Sequence, residues 1–307
     1  MRKTVKRILK TLSANGIEVE ASRQLANLKA IAPLKVFHKT VDAKIFNGDY
    51  EIPIRVFLPR EEAYEKQEIL LFFHGGGWVT ESIDTYERCC ARLAQQTDCV
   101  VISVEYRLAP EYKFPIPFED CYAAAKAIYQ GEFLQNIHPE KITLIGDSAG
   151  GNLAAAVSLK ARDTGDFMPK KQILIYPVTY GEYTDFSPFA SVDENGQDYI
   201  LTKGKMQDYV ELYLSCDKDW MNPYFAPLRA RNHEKQPETL ILTAEFDPLR
   251  DEGEAYAKKL EEAGNVVELH RIKDAIHGFF ALGLKAYPMP ECYEIINHFL
   301  RGDENLA

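Results

Sequence analysis

The sequence lacks the features that mark several special classes of protein. None of its six cysteines lies in a C-x-x-C pair, which argues against a zinc site or a thioredoxin-like redox centre. No apolar run approaches the roughly 20 residues that a membrane-spanning helix needs. Internal repeats and low-complexity tracts are absent as well. The 36 basic residues are fewer than the 46 acidic ones, so the net charge is -10. An acidic surface repels the phosphate backbone of nucleic acids. We therefore expect no nucleic-acid partner.

The N-terminal segment resembles a targeting sequence only in its charge. The first 20 residues are basic but have no continuous apolar core, so we do not expect a signal peptide. One helical face carries Val5, Ile8, Leu9 and Leu12, which fits a membrane-surface helix or a helix packed on its own domain. We favour the second interpretation and expect a cytoplasmic protein with reduced thiols and no stable membrane insertion.

Short apolar runs alternate with helical patterns along most of the chain. Buried strands are predicted at 69–73, 99–104, 142–145, 172–176, 240–243 and 266–269, after extended segments at 36–46 and 50–58. Helices are predicted at 85–96, 118–129, 152–161, 251–263 and 291–300, and the first 33 residues also look helical. This alternation predicts an α/β fold with a mostly parallel central sheet flanked by helices. The interval 178–231 has no strand signal, so we expect a functional insertion such as a lid there.

Ser148 lies at the centre of the sequence GDSAG, directly after the apolar run 142–145. A strand that feeds a G-x-S-x-G turn and an alanine-rich helix is the pattern of a nucleophile elbow, which exposes the serine oxygen at a helix N-terminus. Such a nucleophile requires a base, an acid and an oxyanion hole elsewhere in the chain.

The first predicted central strand ends in the sequence HGGGW, from His74 to Trp78. Three successive glycines leave backbone N–H groups unshielded, as stabilisation of a tetrahedral oxyanion requires. The run could also be a plain turn. Its position after a strand and upstream of the elbow favours an oxyanion loop.

Asp247 and His277 follow the last two predicted strands. Side chains at strand ends lie at the carboxyl edge of a parallel sheet, where ligands bind in open α/β folds. Asp247 could instead cap the next helix, and Glu245, Asp251 and Glu252 are rival carboxylates. The order serine, aspartate, histidine is that of α/β-hydrolases. The remaining histidines are placed less well for this role: His38, His74, His138, His233, His270 and His298.

From about residue 36 onwards the chain resembles the hormone-sensitive lipase family, bacterial family IV esterases with the α/β-hydrolase fold. The matching segments are HGGGW at 74–78, YRLAPE at 106–111, GDSAGGN at 146–152, DPLRDEG at 247–253 and HGF at 277–279. The resemblance implies a helical cap built from residues 1–35 and the insertion 178–231, over a core of 36–177 and 232–307.

The resemblance also implies a role for each motif residue. Ser148 would be the nucleophile, His277 the base and Asp247 its orienting acid. The N–H groups of Gly76, Gly77 and Ala149 would form the oxyanion hole. His74, Gly75 and Asp147 would support the site without joining the triad.

The implied activity is hydrolysis of short-chain acyl esters, acetyl to about hexanoyl, through an acyl-enzyme intermediate. No metal or organic cofactor is implied, the expected partner is a small-molecule ester, and a homodimer is possible. Two alternatives stay open: an amide-cleaving hydrolase, such as an arylformamidase or peptidase, and a non-catalytic ligand receptor. The receptor is disfavoured because the plant gibberellin receptor, which resembles this family, lacks the catalytic histidine that is present here as His277.

Overall fold

An eight-stranded sheet forms the centre of the computed structural model, which describes residues 18–31, 39–60, 68–133, 138–282 and 289–302. The strand order is β1-β2-β4-β3-β5-β6-β7-β8. The strands are β1 (Lys39–Asn47), β2 (Tyr50–Leu58), β3 (Ile69–Phe73), β4 (Val100–Val104), β5 (Ile142–Asp147), β6 (Lys171–Ile175), β7 (Glu238–Phe246) and β8 (Val267–Ile276). The pairs β1–β2 and β2–β4 are antiparallel, and all the others are parallel. The predicted α/β fold with a mostly parallel sheet is confirmed.

Helices pack on both faces of this sheet. In the described residues they are α1 (Val19–Ile31), α2 (Ile83–Thr97), α3 (Ile116–Tyr129), α4 (Ala149–Thr164), α5 (Ala190–Asn195), α6 (Lys203–Tyr213), α7 (Arg250–Glu262), α8 (Phe279–Leu282) and α9 (Met289–Arg301), with short 3₁₀ turns at Pro139–Lys141, Asp217–Met221 and Pro227–Arg229. None of the helices described is both long and apolar enough to span a bilayer.

The central strand β3 shows why these strands are apolar throughout. Leu71 and Phe73 face one hydrophobic cluster, whereas Leu70 and Phe72 face the other, and all four side chains are fully buried. Successive strand residues point to opposite faces, so a strand covered on both sides must be apolar at every position. Both faces of the sheet therefore contribute to the core.

The two strands at the β7–β8 edge are longer than their apolar runs predicted. The strand predicted at 240–243 is observed as β7 over Glu238–Phe246, and the strand predicted at 266–269 is observed as β8 over Val267–Ile276. The extension of β8 includes the exposed charged residues Arg271, Lys273 and Asp274, which an apolar run cannot reveal. The helical prediction for the first 33 residues is tested only over Val19–Ile31, which is helical; residues 1–17 and 32–38 lie outside the described residues.

The interval 178–231 contains α5, α6 and two 3₁₀ turns but no strand. The insertion contacts the core of the protein through aromatic rings. Tyr213 stacks on Trp78 with ring centroids 4.3 Å apart, and Phe225 packs against both rings. These large buried rings hold α6 close to the HGGGW loop. The insertion thus forms a wall above the carboxyl edge of the sheet.

Candidate active site

Ser148 occupies the tight turn between β5 and α4. Its backbone has φ 56° and ψ -119°, which non-glycine residues rarely adopt, and its N–H donates to the carbonyl of Ile175 at 2.8 Å. Residues in such sparsely populated conformations cluster at functional sites, where the surrounding structure holds them. The geometry is that of the predicted elbow, with the side chain at the N-terminus of α4.

The glycines on either side of Ser148 allow close backbone packing. A Cβ at Gly150 would overlap the carbonyl oxygen of Phe73, and a Cβ at Gly146 would overlap the backbone of Gly150. The elbow therefore presses directly against the end of β3. That contact brings Ser148 next to the HGGGW loop that follows β3.

A continuous hydrogen-bonded chain joins Ser148, His277 and Asp247. The Ser148 Oγ lies 2.9 Å from His277 Nε2, and His277 Nδ1 lies 2.8 Å from Asp247 Oδ2. Asp247 is fully buried, whereas His277 remains partly accessible. The three side chains come from the ends of β5, β7 and β8, which meet at the carboxyl edge of the sheet as expected.

Asp247 also stabilises the turn that leads into α7. Its Oδ1 accepts the backbone N–H of Leu249 at 2.9 Å, so its two oxygens serve the turn and the imidazole separately. Asp247 is therefore not the N-cap of α7, which is Leu249 and has no side-chain cap hydrogen bond, and its bond to Leu249 belongs to the preceding turn. The rival carboxylates are occupied elsewhere: Glu245 accepts the Asp274 N–H, Asp251 binds Arg250 and Ser191, and Glu252 binds the insertion.

Backbone angles and close contacts favour glycine at two positions of the HGGGW loop. Gly76 has φ 105° and Gly77 has φ 61°, and a Cβ would overlap the Thr80 carbonyl at the first and the Tyr209 ring at the second. Within the described residues, the N–H groups of Gly76, Gly77 and Ala149 donate no hydrogen bond. They are therefore available to an oxyanion beside Ser148.

Asp147 connects the elbow to the glycine loop. Its fully buried carboxylate accepts the Gly75 N–H at 2.9 Å through Oδ1, and the hydroxyls of Tyr86 at 2.9 Å and Tyr176 at 3.2 Å through Oδ2. Burial raises the pKa of this carboxyl to about 6, and the Tyr86 hydrogen bond opposes the rise. The Tyr176 ring also packs against the His277 ring, with centroids 4.7 Å apart.

His74 is buried within the base of the loop and does not reach the nucleophile. Its Nδ1 lies 2.8 Å from the carbonyl of Gly75, and its ring stacks on Tyr106, whose hydroxyl donates to the His74 carbonyl at 2.8 Å. This contact supports a structural role for His74 and for the start of the YRLAPE segment.

A cavity of about 350 Å³ opens above Ser148 and His277. Its walls include Ser22 and Leu25 from α1, together with Lys205, Met206 and Tyr209 from α6. Of the ten aromatic residues that the insertion offers as possible lining, Tyr209 alone lines this cavity in the described structure. Six of the others pack the insertion on the core, namely Tyr183, Phe189, Tyr213, Trp220, Tyr224 and Phe225, whereas Phe186 is exposed.

Comparison with known proteins identifies the family. The sequence profile of the alpha/beta hydrolase fold family matches residues 70–281, a span that includes the elbow, the glycine loop and the Ser148–His277–Asp247 chain. The chain belongs to this family. The predicted resemblance to its hormone-sensitive lipase branch, the family IV esterases, is confirmed.

Similar members of the alpha/beta hydrolase fold family include enzymes of archaea and bacteria. An arylesterase of Saccharolobus solfataricus is 38% identical over 84% of this chain and 83% of its own length. An ethyl acetate hydrolase of Pseudomonas putida is 31% identical over 89% of this chain and 87% of its own. A hyperthermophilic esterase from Pyrobaculum calidifontis superposes with a TM-score of 0.86 at 34% identity, over 98% of each chain.

Sequence reasoning missed four contributors to the site of this hydrolase: Tyr86, Tyr176, Arg23 and Lys205. Tyr86 and Tyr176 lie inside ordinary helical and strand-end patterns, so nothing local indicates their contact with Asp147. Arg23 and Lys205 belong to amphipathic helices, where a basic residue is unremarkable. Only the tertiary structure brings these side chains to the site.

Proposed function

We propose that this chain hydrolyses short-chain acyl esters through an acyl-enzyme intermediate on Ser148. Carboxylic ester hydrolysis itself is the activity class of its family and of its named relatives. The observation that carries the finer proposal is the unbroken chain from Ser148 Oγ through His277 to Asp247 beside three unused backbone N–H groups.

The geometry supports a two-step displacement. Ser148 Oγ attacks the ester carbonyl while His277 Nε2, 2.9 Å away, takes its proton. Collapse of the tetrahedral intermediate breaks the bond to the alcohol, which leaves with that proton. Water then attacks the acyl-serine, His277 again takes the proton, and the acid departs as Ser148 is regenerated.

Asp247 and the glycine loop stabilise the charges that develop in each step. The Asp247 carboxylate holds the imidazole by its Nδ1 and balances the imidazolium. The N–H groups of Gly76, Gly77 and Ala149 receive the oxyanion, and loss of one such donor typically costs roughly 3 kcal/mol of transition-state stabilisation.

The size of the cavity supports a short acyl group. The cavity has a volume of about 350 Å³, and Leu25, Met206 and Leu282 contribute apolar walls to it. The likeness to a relative named for ethyl acetate points in the same direction. We also propose a cytoplasmic location, because all six cysteines, each within the described residues, are unpaired.

The test is substitution of Ser148 by alanine, assayed on p-nitrophenyl acetate. We expect kcat to fall about a thousandfold or more with little change in folding, since triad residues act as a unit. Ser158→Ala is the matched control: this buried serine lies on α4 and binds Gln172, remote from His277. A phosphonate probe should label the wild type once, at Ser148, and leave the S148A variant unlabelled.

A substrate series separates this proposal from its alternatives. We expect kcat/KM for p-nitrophenyl esters to be highest between acetyl and hexanoyl and to decline for longer chains. Turnover of p-nitroacetanilide with negligible ester hydrolysis would identify an amidase instead. Near-normal hydrolysis by S148A would contradict the proposed nucleophile.

A further inference from the structure

The first turn of α6 carries two lysines and no acidic residue. Lys203 and Lys205 both lie at this N-terminal end, where the helix dipole disfavours cations. Negative charge from another part of the protein or from a ligand stabilises lysines in such a placement. The two lysines differ in where that charge comes from.

Lys203 is compensated within the protein. Its ammonium forms ion pairs with Asp185 at 2.8 Å and Asp193 at 2.9 Å, both in the insertion. It does not line the cavity above Ser148. Lys203 therefore has a structural role that accounts for its charge.

Lys205 has no such partner. Its Nζ donates to the backbone carbonyl of Ile200 at 3.2 Å, and no carboxylate of the described residues lies within ion-pair distance. Its side chain is partly buried, and burial lowers the pKa of its ammonium without an acidic neighbour to oppose the shift. An ammonium has three donors, so two remain for a ligand.

Lys205 and its hydrogen-bond partner Ile200 both line the cavity above Ser148 and His277. Glu81 also lines it, from the side of the glycine loop close to Gly76, but burial alone accounts for the lowered pKa of Lys205, with no contribution from Glu81. A negatively charged group of a bound ester is thus the missing counter-charge for Lys205.

We propose that Lys205 forms an anion subsite which favours esters carrying an ionised carboxylate in addition to the ester group. The inference rests on the proposed esterase function and names a substrate class for it. The carboxylate could belong to the acyl part, as in a half-ester of a dicarboxylic acid, or to the leaving alcohol. In either position it would accept hydrogen bonds from the Lys205 ammonium while Ser148 attacks the ester carbonyl.

The test compares matched charged and neutral esters in wild type and Lys205→Met. The acyl arm pairs mono-p-nitrophenyl glutarate with p-nitrophenyl valerate, and the alcohol arm pairs para-acetoxybenzoate with para-acetoxybenzamide. In each arm the quantity measured is the ratio of kcat/KM for the charged ester to that for the neutral ester. Because hydrogen bonds to charged groups are stronger than neutral ones, we expect K205M to lower this ratio about tenfold in one arm, which identifies the side of the ester that meets Lys205.

Two further variants check that the effect belongs to this charge. Lys203→Met, two residues away on α6, should leave both ratios as in wild type, and Lys205→Arg should retain most of the selectivity. The wild-type ratio should also decrease with rising salt concentration, since mobile ions screen a partly exposed pair.

Ratios in K205M within twofold of wild type in both arms would overturn the subsite while leaving the esterase proposal intact. Equal loss of ratio in K203M would also overturn it, because the effect would then come from the general field of the helix. A wild type that cleaves none of the four esters would overturn the esterase proposal and the subsite together.

Discussion

Buried carboxylates at this site use their two oxygens for different tasks. Asp247 divides its oxygens between the Leu249 N–H and His277, and Asp147 divides its own between the Gly75 N–H and two tyrosine hydroxyls. A charged acceptor that satisfies two elements at once fixes their relative position. Local strain at Ser148 can persist because its neighbours are fixed in this way.

Asp147→Asn tests the coupling between the elbow and the glycine loop. An amide offers one oxygen and an NH₂ group, so it cannot accept from all three donors that surround this position. We expect the loop to lose its alignment and kcat to fall roughly 10- to 100-fold with little change in KM, from the typical value of hydrogen bonds to a charged group. Steady-state kinetics on p-nitrophenyl acetate measures both constants.

Asp120→Asn is the control for a general effect of losing a buried carboxylate. Asp120 is equally buried but binds Arg107 and Asn47 outside the cavity. The Asp120→Asn substitution should lower thermal stability, whereas the kcat of the folded enzyme should stay at the wild-type value. If D147N lowered stability alone, with kcat intact, Asp147 would have no positioning role.

At the scale of elements, α1 closes the cavity from outside the core. Arg23 joins α1 to Val79, which follows the glycine loop, and to the YRLAPE segment. It donates to the carbonyls of Val79 and Ala109, each at 2.9 Å. Both of its terminal nitrogens also donate to the Glu111 carboxylate, at 2.8 Å. The Arg23 guanidinium lowers the pKa of Glu111 to about 2. One side chain therefore holds a wall of the cavity.

Arg23→Ala should loosen that wall. Ser22 and Leu25 lie on either side of Arg23 along α1 and line the cavity, so their displacement should raise KM for p-nitrophenyl butyrate by about three- to tenfold, in line with the loss of one or two net hydrogen bonds. Gln24→Ala is the matched control, because Gln24 is exposed and binds only Glu20 in the described structure. An unchanged KM in R23A would mean that α1 is held by other contacts.

The elements that the sequence predicted well are those under local constraint. The elbow and the glycine loop are recognisable because their backbone angles and close contacts demand glycine at Gly76, Gly77, Gly146 and Gly150. The predicted strands were apolar because they are buried on both faces. The order of the motifs then predicts an acid and a base for Ser148, and the structure joins Asp247 and His277 to it in one hydrogen-bonded chain.

Contacts that join distant parts of the chain had no comparable signal. Arg23 and Glu111 are 88 positions apart, and Tyr86 and Asp147 are 61 apart. Neither pair has a local pattern, since an arginine on an amphipathic helix and a tyrosine on a buried face fit many environments. The lack of an acidic partner for Lys205 among the described residues had no local signal either, because it depends on which carboxylates the fold brings near.

At the scale of the whole molecule, three buried carboxyl groups lie close to the cavity above Ser148. Asp147, Asp247 and Glu252 are each almost completely inaccessible and hold respectively the glycine loop, the imidazole and the insertion. Glu252 accepts the N–H groups of Thr179 and Tyr180 at the start of the insertion. The carboxyl edge of the sheet thereby joins the Ser148–His277–Asp247 chain to the insertion through carboxyl groups whose ionisation burial opposes.

That cost predicts how stability depends on pH. Burial raises the pKa of Glu252 from 4.5 to about 7, against the hydrogen bonds from Thr179, Tyr180 and Tyr183, and the nearby Asp247 adds to the rise. Between these two values the folded state keeps a proton that the unfolded state releases, so the stability contributed by this group falls as pH rises through that window. The pKa of Asp147 is raised from 3.8 to about 6, so the stability that this group contributes also falls with rising pH, but in a lower window. The pKa of Glu111 is lowered from 4.5 to about 2, so the stability that it contributes is lost as pH falls toward 2.

Glu252→Gln should remove the largest part of this dependence near neutral pH. The Oε2 atom of Glu252 has no hydrogen-bond partner in the described structure, and Gln can still accept the insertion's N–H groups through its remaining oxygen. The midpoint of thermal unfolding in E252Q, relative to wild type, should increase by a few degrees between pH 5 and pH 8, since the linked free energy is at most about 3 kcal/mol. Glu261→Gln, at an exposed position on the same helix, should follow the wild-type curve at every pH. If the unfolding midpoints of E252Q and wild type changed with pH in parallel, Glu252 would have the same pKa in the folded and unfolded states. Burial of this carboxyl would then impose no penalty on its ionisation.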